Sequence, residues 1–493
     1  MYKKKIAIIG GGIGSLSAAL YLSNANFDVY IFEKNEKLGG KAYELKINNF
    51  RFDQGPSLLT MPFVLENIFS ENNFQLKDFL SLKKLNVICK YFYPDGKIFV
   101  AYSDIEKLAE EIQNLFNEKK ETIYKYLNYS RSIYDLTSDL FLFQSFELKN
   151  LLNFKALKTL LQFNKIDAFR TMHQANSSFF KDKNLIQLFD RYATYNGSNP
   201  YKAPATLNII QHVEYNLGAY FPEDGIYSIV KSFEEALRKT NTKIYLNSEV
   251  SRIILNDKKA IGLIANNEKN FFDAIISNAD VDFTFSKLLD NYNCRESRIQ
   301  KRMEKSTSAI VFYLGVEGIR DELEVHNIFF SENYEKEFSD LFNKKFIPDD
   351  QTIYLYISSK IEKNDAPDGW ENWFLMINAP SNLSLTKVEL ENLKEKLLLK
   401  VFNYLNIKNK PKAFLFDALD PITIEKRTNS IGGSLYGISS NNRCAAFLRQ
   451  KNKSRCIKNL YFASGSAHPG GGIPLVALSG KIAAKEIIKD LSK

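Results

Sequence analysis

With 493 residues, 45% hydrophobic and 25% charged, the chain is long enough for two or three domains and too apolar to be disordered. Its longest apolar runs, "KIAIIGGGIGSLSAALYL" and "GGGIPLVALSG", are too short and glycine-rich to span a bilayer, and the basic "MYKKK" leads into a strand pattern without the apolar core of a secretion signal, so a cytoplasmic protein is expected. A net charge of +9 spread along the chain gives no aromatic-interleaved basic face for nucleic acid but suits an anionic membrane surface, and the scattered cysteines and histidines show no metal-ligand spacing, so no metal is expected.

"KIAIIGGG" reads as a buried strand by its continuous apolar run, "IGSLSAALYLSNAN" as a helix of small and apolar residues, and "DVYIFEKN" as a second strand. Together they make a βαβ unit of about thirty residues, the size of a dinucleotide-binding element. Gly10 and Gly12 take the first two positions of its glycine fingerprint. Gly10 permits the tight turn, and Gly12 lets the backbone approach a pyrophosphate at the helix N-terminus. Ser15 stands where a third glycine is usual, small enough for close helix–strand packing, with Gly14 adding slack. Glu33, 23 residues after Gly10 and followed by Lys34, is placed to accept ribose hydroxyls and to repel a 2′-phosphate. NAD and FAD both satisfy this much. In "LGGKAYE", Gly39 and Gly40 before the cation Lys41 let a second loop approach the pyrophosphate or a flavin. "FRFDQGPSLLTMP" supplies another close-approach turn through Gly55, Pro56, Ser57 and Leu58.

Residues 86–102 form a hairpin pattern around Pro94, Asp95 and Gly96. From 103 to 215 the spacing is helical, and within it 141–163 sets Leu and Phe against Lys149, Lys155 and Lys158. That stretch is either a core helix pair with a solvated lysine face or an interfacial helix dipping into lipid. "PEDGIYSIVKSFEEALRK" reads as a helix, and the segment after it alternates as strands through "SNAD". "TSAIVFYLGV", "QTIYLYISSK" and "NWFLMINAP" continue as strands, "SLTKVELENLKEKLLLKVFNYL" as a helix, and a strand, glycine turn and helix close the chain. The fold class is therefore α/β: a discontinuous Rossmann-type cofactor domain (1–87, 222–300 and 425–493), an antiparallel-sheet substrate domain (301–424, with the hairpin 88–102), and a helical, candidate membrane-facing subdomain (103–221).

"GGGIGSLSAALYL", "FEKNEKLGGKA", "FRFDQGPSLLTMP" and "GSAHPGGGIPLVALSGKIAA" together resemble the bacterial carotenoid desaturases of the phytoene-desaturase type, flavoproteins related to the amine oxidases. "RYATYNGSNPYKAP" and "HPGGGIPLVALSG" are most similar to the branch acting on 1-hydroxylated acyclic carotenoids at the 3,4 bond. The resemblance implies FAD, with the backbone of Val250 at the adenine, Asn278 and Asp280 closing the cofactor domain, and Gly465, Ser466, Gly472, Ile473 and Pro474 against the flavin. It implies an acyclic C40 carotenoid, with or without a hydroxyl, that loses a hydride to flavin N5 and a proton. Reoxidation would fall to quinone or oxygen, and so greasy a substrate implies peripheral attachment to the inner face of the cell membrane. His468, beside the second glycine turn, is the candidate acid or base, while Arg191, Tyr192 and Tyr195 line the tunnel or hold the substrate hydroxyl. His326 reads as structural. The alternatives are a phytoene or acyclic carotene desaturase acting several times in succession, an amine oxidase, and a non-catalytic carotenoid- or lipid-binding escort.

Overall fold

A computed structural model describes residues 3–144 and 163–492. The apolar opening run becomes a strand, Lys5–Ile9, at the centre of a five-stranded parallel sheet. Across that sheet the strands are Lys243–Tyr245, Asp28–Phe32, Lys5–Ile9, Ala274–Ser277 and Leu460–Phe462. Ile8 lies between Ile31 and Ile276 in the sheet; Ile6 and Ile8 pack into one core and Ala7 and Ile9 into another, so the middle of the sheet is covered on both faces, as the unbroken apolar pattern requires.

The opening helix, Ile13–Asn24, and the closing helix, Ile473–Leu491, lie against each other on one face of this sheet. The Ser17 hydroxyl donates to the Ala477 carbonyl across their contact at 2.8 Å. The other face carries an antiparallel trio, Val250–Asn256, Lys259–Ala265 and Glu268–Phe271, whose apolar residues pack on Ala7, Ile9 and Ile275. The helix expected over 222–239 begins only at Tyr227. Asp224 and Gly225 take left-handed φ of 62° and 80°, and a Cβ on Gly225 would fall 1.6 Å from Arg51 Nη2. That guanidinium is pinned in place by Asp53 at 2.7 Å and Asp365 at 2.9 Å.

A second sheet has seven strands, in the order Ala413–Leu419, Ser308–Glu317, Trp370–Ala379, Ile353–Ile357, His326–Phe329, Val87–Phe92 and Ile98–Tyr102. Every pairing is antiparallel except that of His326–Phe329 with Val87–Phe92, where the early hairpin joins in parallel. Helix Lys387–Tyr404 covers one face of the sheet. It starts at a reciprocal cap, Glu389 N–H donating to Thr386 Oγ1 at 3.2 Å and Thr386 N–H to Glu389 Oε2 at 2.8 Å. The opposite face looks toward the helical region, which includes Ile105–Phe116, Lys120–Phe141, Met172–Phe179 and Lys183–Asp190.

Of the amphipathic stretch 141–163, residues 145–162 lie outside the described residues. Among the described residues no helix is long and apolar enough to cross a membrane. The cysteines are less scattered in space than in sequence. Cys294, Glu296 and Cys456 bring their ligand atoms within 4.8 Å of one another, although both oxygens of Glu296 already accept from Gln450, Ser454 and neighbouring amides.

Candidate active site

A cavity of about 430 Å³ lies where the glycine turns of the parallel sheet meet the second sheet and the helical region. Gly12, Gly39, Gly40, Lys41, Gly55, Pro56, Ser57 and Leu58 line it from the first part of the chain. Asn278, Asp280, Gly465, Ser466, Gly472, Ile473 and Pro474 line it from later parts, and Arg191 and Tyr195 from the helical region.

On the side of the glycine turns, two helices begin at this wall. Gly12 and Gly472 are the residues before their first turns, neither helix has a side-chain cap, and neither carries an acid in its first turn. Two positive dipole ends thus face one space, an arrangement that attracts phosphate or a developing anion. The Gly12 N–H is held by Asn278 Oδ1 at 3.0 Å, and a Cβ there would come 2.6 Å from that oxygen. At Gly472, with φ of +101°, a Cβ would meet nothing within 4 Å, so its backbone borders open space. Lys41 Nζ donates to the carbonyls of Ser434 and Leu435 at 3.0 and 2.6 Å; burial pushes its pKa down to about 8, against the pull of Asp280. Arg427 and Tyr313 also line the cavity, and Arg427 Nε and Tyr313 Oη are buried without a hydrogen-bond partner among the described residues. Uncapped helix ends, a buried cation and orphaned polar atoms fit a dinucleotide coenzyme.

Other predicted residues lie outside the lining of the cavity. Gly10, with φ of +91°, donates to Phe32 O at 2.8 Å and accepts from Ser15 Oγ at 2.5 Å, which closes the first turn. Gly14 packs so tightly that a Cβ would lie 2.3 Å from Ala463 O. Glu33 is buried: Oε2 accepts from Gly11 N–H at 2.6 Å, and Oε1 from Asn35 N–H at 2.8 Å and Asn35 Nδ2 at 2.7 Å. Lys34 points away, donating to Lys426 O and Asn429 Oδ1, both at 2.6 Å. Val250 heads its strand opposite Ala265.

His468 departs from the acid–base expectation. It does not line the cavity: its ring is buried outside the turn, with Nε2 2.9 Å from Gln144 O, and burial pushes its pKa down to about 4. Between Ser466 and Gly471 the chain bulges away from the space that both of these residues border.

The opposite wall is apolar, with Ile88, Val311, Ile328, Phe374, Met376 and Leu419 facing inward from the second sheet and its surroundings. One polar cluster interrupts it. Arg191 is packed over the rings of Tyr91, Tyr192 and Tyr195, with its carbon centre 5.3, 4.4 and 5.4 Å from their centroids. Burial works against its charge, but Tyr91, Tyr195, Tyr192 and Glu214 outweigh it and hold the guanidinium well above its ordinary pKa. Glu214, 1% exposed, lies 3.9 Å from Arg191 Nη2 and accepts from Tyr192 Oη at 2.6 Å and from Tyr195 Oη. His326, expected to be structural, also lines the cavity, and burial, with Arg191 adding, pushes its pKa down to about 3. Its Nδ1 lies 2.8 Å from Tyr354 Oη, which in turn lies 2.5 Å from Ser57 Oγ. Cys89 completes the patch as a thiol whose pKa burial raises to about 12. Glu214, Tyr354 and Arg449, which donates to Gly465 O at 3.0 Å, had no motif to mark them. Glu214 is distinguished in the sequence only as a lone acid in "QHVEYNLGAYF", and Arg449 is one of several cations in "RCAAFLRQKNKSR".

Residues 16–302 match the family of flavin-containing amine oxidoreductases. Over 486 residues, covering 98% of both chains, the sequence is 40% identical to a 1-hydroxycarotenoid 3,4-desaturase of Flavobacterium sp. (strain P99-3). Over 491 residues, 99% of this chain and 97% of the other, it is 30% identical to a 4,4'-diaponeurosporene oxygenase of Staphylococcus haemolyticus (strain JCSC1435). In fold it is similar to a triple mutant of putrescine oxidase redesigned in its cofactor binding, with a TM-score of 0.66 at 14% identity over 99% of each chain.

Proposed function

Because this chain belongs to the family of flavin-containing amine oxidoreductases, we propose that it desaturates acyclic C40 carotenoids and that its substrate is a 1-hydroxylated one, taken at the 3,4 bond. It is an FAD-dependent oxidoreductase. The observation that carries the substrate reading is end-to-end identity of 40% to a desaturase of that specificity. The apolar wall contributed by the second sheet agrees with a hydrocarbon guest.

Bound FAD supplies a hydride acceptor. The chain's own part is to hold and orient. The glycine turns at Gly12, Gly39–Gly40 and Gly472 and the two helix ends would grip the coenzyme, and Lys41 would add a cation to that wall. Removal of a hydride leaves positive charge that a polyene spreads along its length, so a dry pocket matters more than a strong base. Val311, Ile328, Phe374 and Met376 exclude water from that side.

A C40 hydrocarbon does not cross water at a useful rate, and we place the protein peripherally on the inner face of the cell membrane, with quinone or oxygen as final acceptor. Flotation with anionic and neutral liposomes tests the attachment, and reoxidation with a soluble quinone or with oxygen tests the acceptor. The substrate is tested by expression in cells that make a defined set of acyclic carotenoids, with pigments separated by absorbance and mass. Hydroxylated pigments are expected to lose two hydrogens near the hydroxylated end. Conversion of phytoene alone, or products that gain oxygen, would reject this substrate assignment.

A further inference from the structure

We propose that His326 Nε2 is the anchor of a hydroxyl-binding subsite in the cavity wall, supported from behind by Tyr354 and Ser57 and flanked by Arg191. This rests on the desaturase reading and names the contact that selects a hydroxylated substrate.

His326 is 4% exposed and lines the cavity, and its Nε2 is buried without a partner among the described residues. A buried polar atom left unpaired is costly, so one on a residue that lines a cavity marks a place for a ligand atom. The ring is held in orientation. It stacks on Tyr356 at 5.2 Å between centroids and 13° between planes, and its other nitrogen bonds to Tyr354 Oη at 2.8 Å.

The chemistry of the missing partner follows from the relay behind the ring. The imidazole is neutral, so Nε2 either donates or accepts, according to which way the protons run along Ser57, Tyr354 and Nδ1. A hydroxyl satisfies both settings, because it donates and accepts; a carbonyl satisfies only one. A cation is repelled by Arg191, and a carboxylate finds that guanidinium already matched by Glu214. The fitting group is a neutral hydroxyl on an otherwise apolar molecule.

Its position also suits the reaction. Ser57 belongs to the turn Gly55–Leu58 on the coenzyme side, and two hydrogen bonds, of 2.5 and 2.8 Å, join it to the His326 ring. In a 1-hydroxylated chain the oxygen-bearing carbon is two bonds from the nearer carbon of the 3,4 pair. A hydroxyl held at Nε2 therefore fixes where the 3,4 pair lies along the cavity, two bonds from the anchored carbon.

The experiment uses the flavin-loaded protein and two visible pigments in detergent micelles, a 1-hydroxylated acyclic C40 carotenoid and its non-hydroxylated parent. Pigment co-eluting with the protein is read by absorbance, and kcat/KM is measured for each. The wild type is expected to favour the hydroxylated pigment by about ten- to hundredfold, the span of one buried hydrogen bond. His326→Phe, which keeps the stacked ring and loses both nitrogens, is expected to abolish that preference, and His326→Gln to restore part of it. Should the Phe variant not fold, His326→Leu makes the same comparison. A wild type without preference, or a folded apolar variant that keeps it, overturns the proposal. Preferential binding without turnover leaves the subsite standing and rejects the desaturase reading instead.

Discussion

Gly480 of the closing helix lies against Gly14 of the opening helix so closely that a Cβ on Gly480 would sit 2.1 Å from the Gly14 carbonyl oxygen. Adding that methyl forces apart two helices that both begin at the cavity wall. Gly480→Ala is expected to cost roughly 1–3 kcal/mol of stability, despite alanine's better helix propensity, and to reduce bound flavin. Thermal melting together with the ratio of flavin to protein absorbance reads both effects; an unaltered melting point and full flavin content would count against the close-contact account.

Glu33 joins the first glycine turn to the end of its neighbouring strand through Gly11 and Asn35. Glu33→Ala is expected to weaken FAD binding by about 1.5–3 kcal/mol, the range for hydrogen bonds to a charged group. Titration of apoprotein with FAD, followed by quenching of flavin fluorescence, measures it. An affinity equal to wild type would mean that the carboxylate neither shapes the turn nor meets the ribose.

For His468 the expectation runs opposite to that for an acid–base residue. Since the ring is outside the cavity, His468→Gln should keep turnover within a few-fold of wild type, whereas loss of a general acid or base costs about 10²–10⁴. Its pKa falls from 6.5 to about 4 on folding. Between those values the unfolded chain binds a proton that the folded one refuses, so stability drops as pH falls from 6.5 toward 4, by an amount on the order of a few kcal/mol. Melting temperatures across that window should fall less steeply for His468→Gln than for wild type.

Glu214 is the carboxylate facing the buried Arg191, 3.9 Å from its Nη2. Glu214→Gln keeps the shape and strands the cation, at an expected cost of roughly 3–5 kcal/mol. Urea denaturation midpoints check this, and a loss below about 1 kcal/mol would show that the stacked tyrosines alone suffice for Arg191.

The cofactor half was readable in the sequence because its signals are local. Gly10, Gly12 and Ser15 sit within six residues of one another, and Gly39–Lys41 form one short loop, so each carries its backbone geometry with it. The substrate half depends on partners that only the sheet brings together. His326 meets Tyr354 through pairing of strands that lie 28 residues apart, and Ser57 reaches Tyr354 across 297. No spacing rule links a lone His in "EVHNIFF" to a Ser in "QGPSLL". His468 shows the converse: nearness to a glycine turn along the chain is not nearness to the space the turn encloses, because the loop between Ser466 and Gly471 holds that ring outside the cavity, against Gln144 O.

The parallel sheet has a consequence for synthesis. Its outer strand, Leu460–Phe462, pairs with Ala274–Ser277, which leaves the ribosome far earlier, and the closing helix that covers Gly14 follows later still. Until then the nascent polypeptide presents an unpaired strand edge and the bare side of its first helix to solvent, an invitation to aggregation that a holding chaperone would have to answer. Shortening the gene by its final thirty or so codons would strand the nucleotide half in that half-made form, even though every residue of the first glycine fingerprint would still be present.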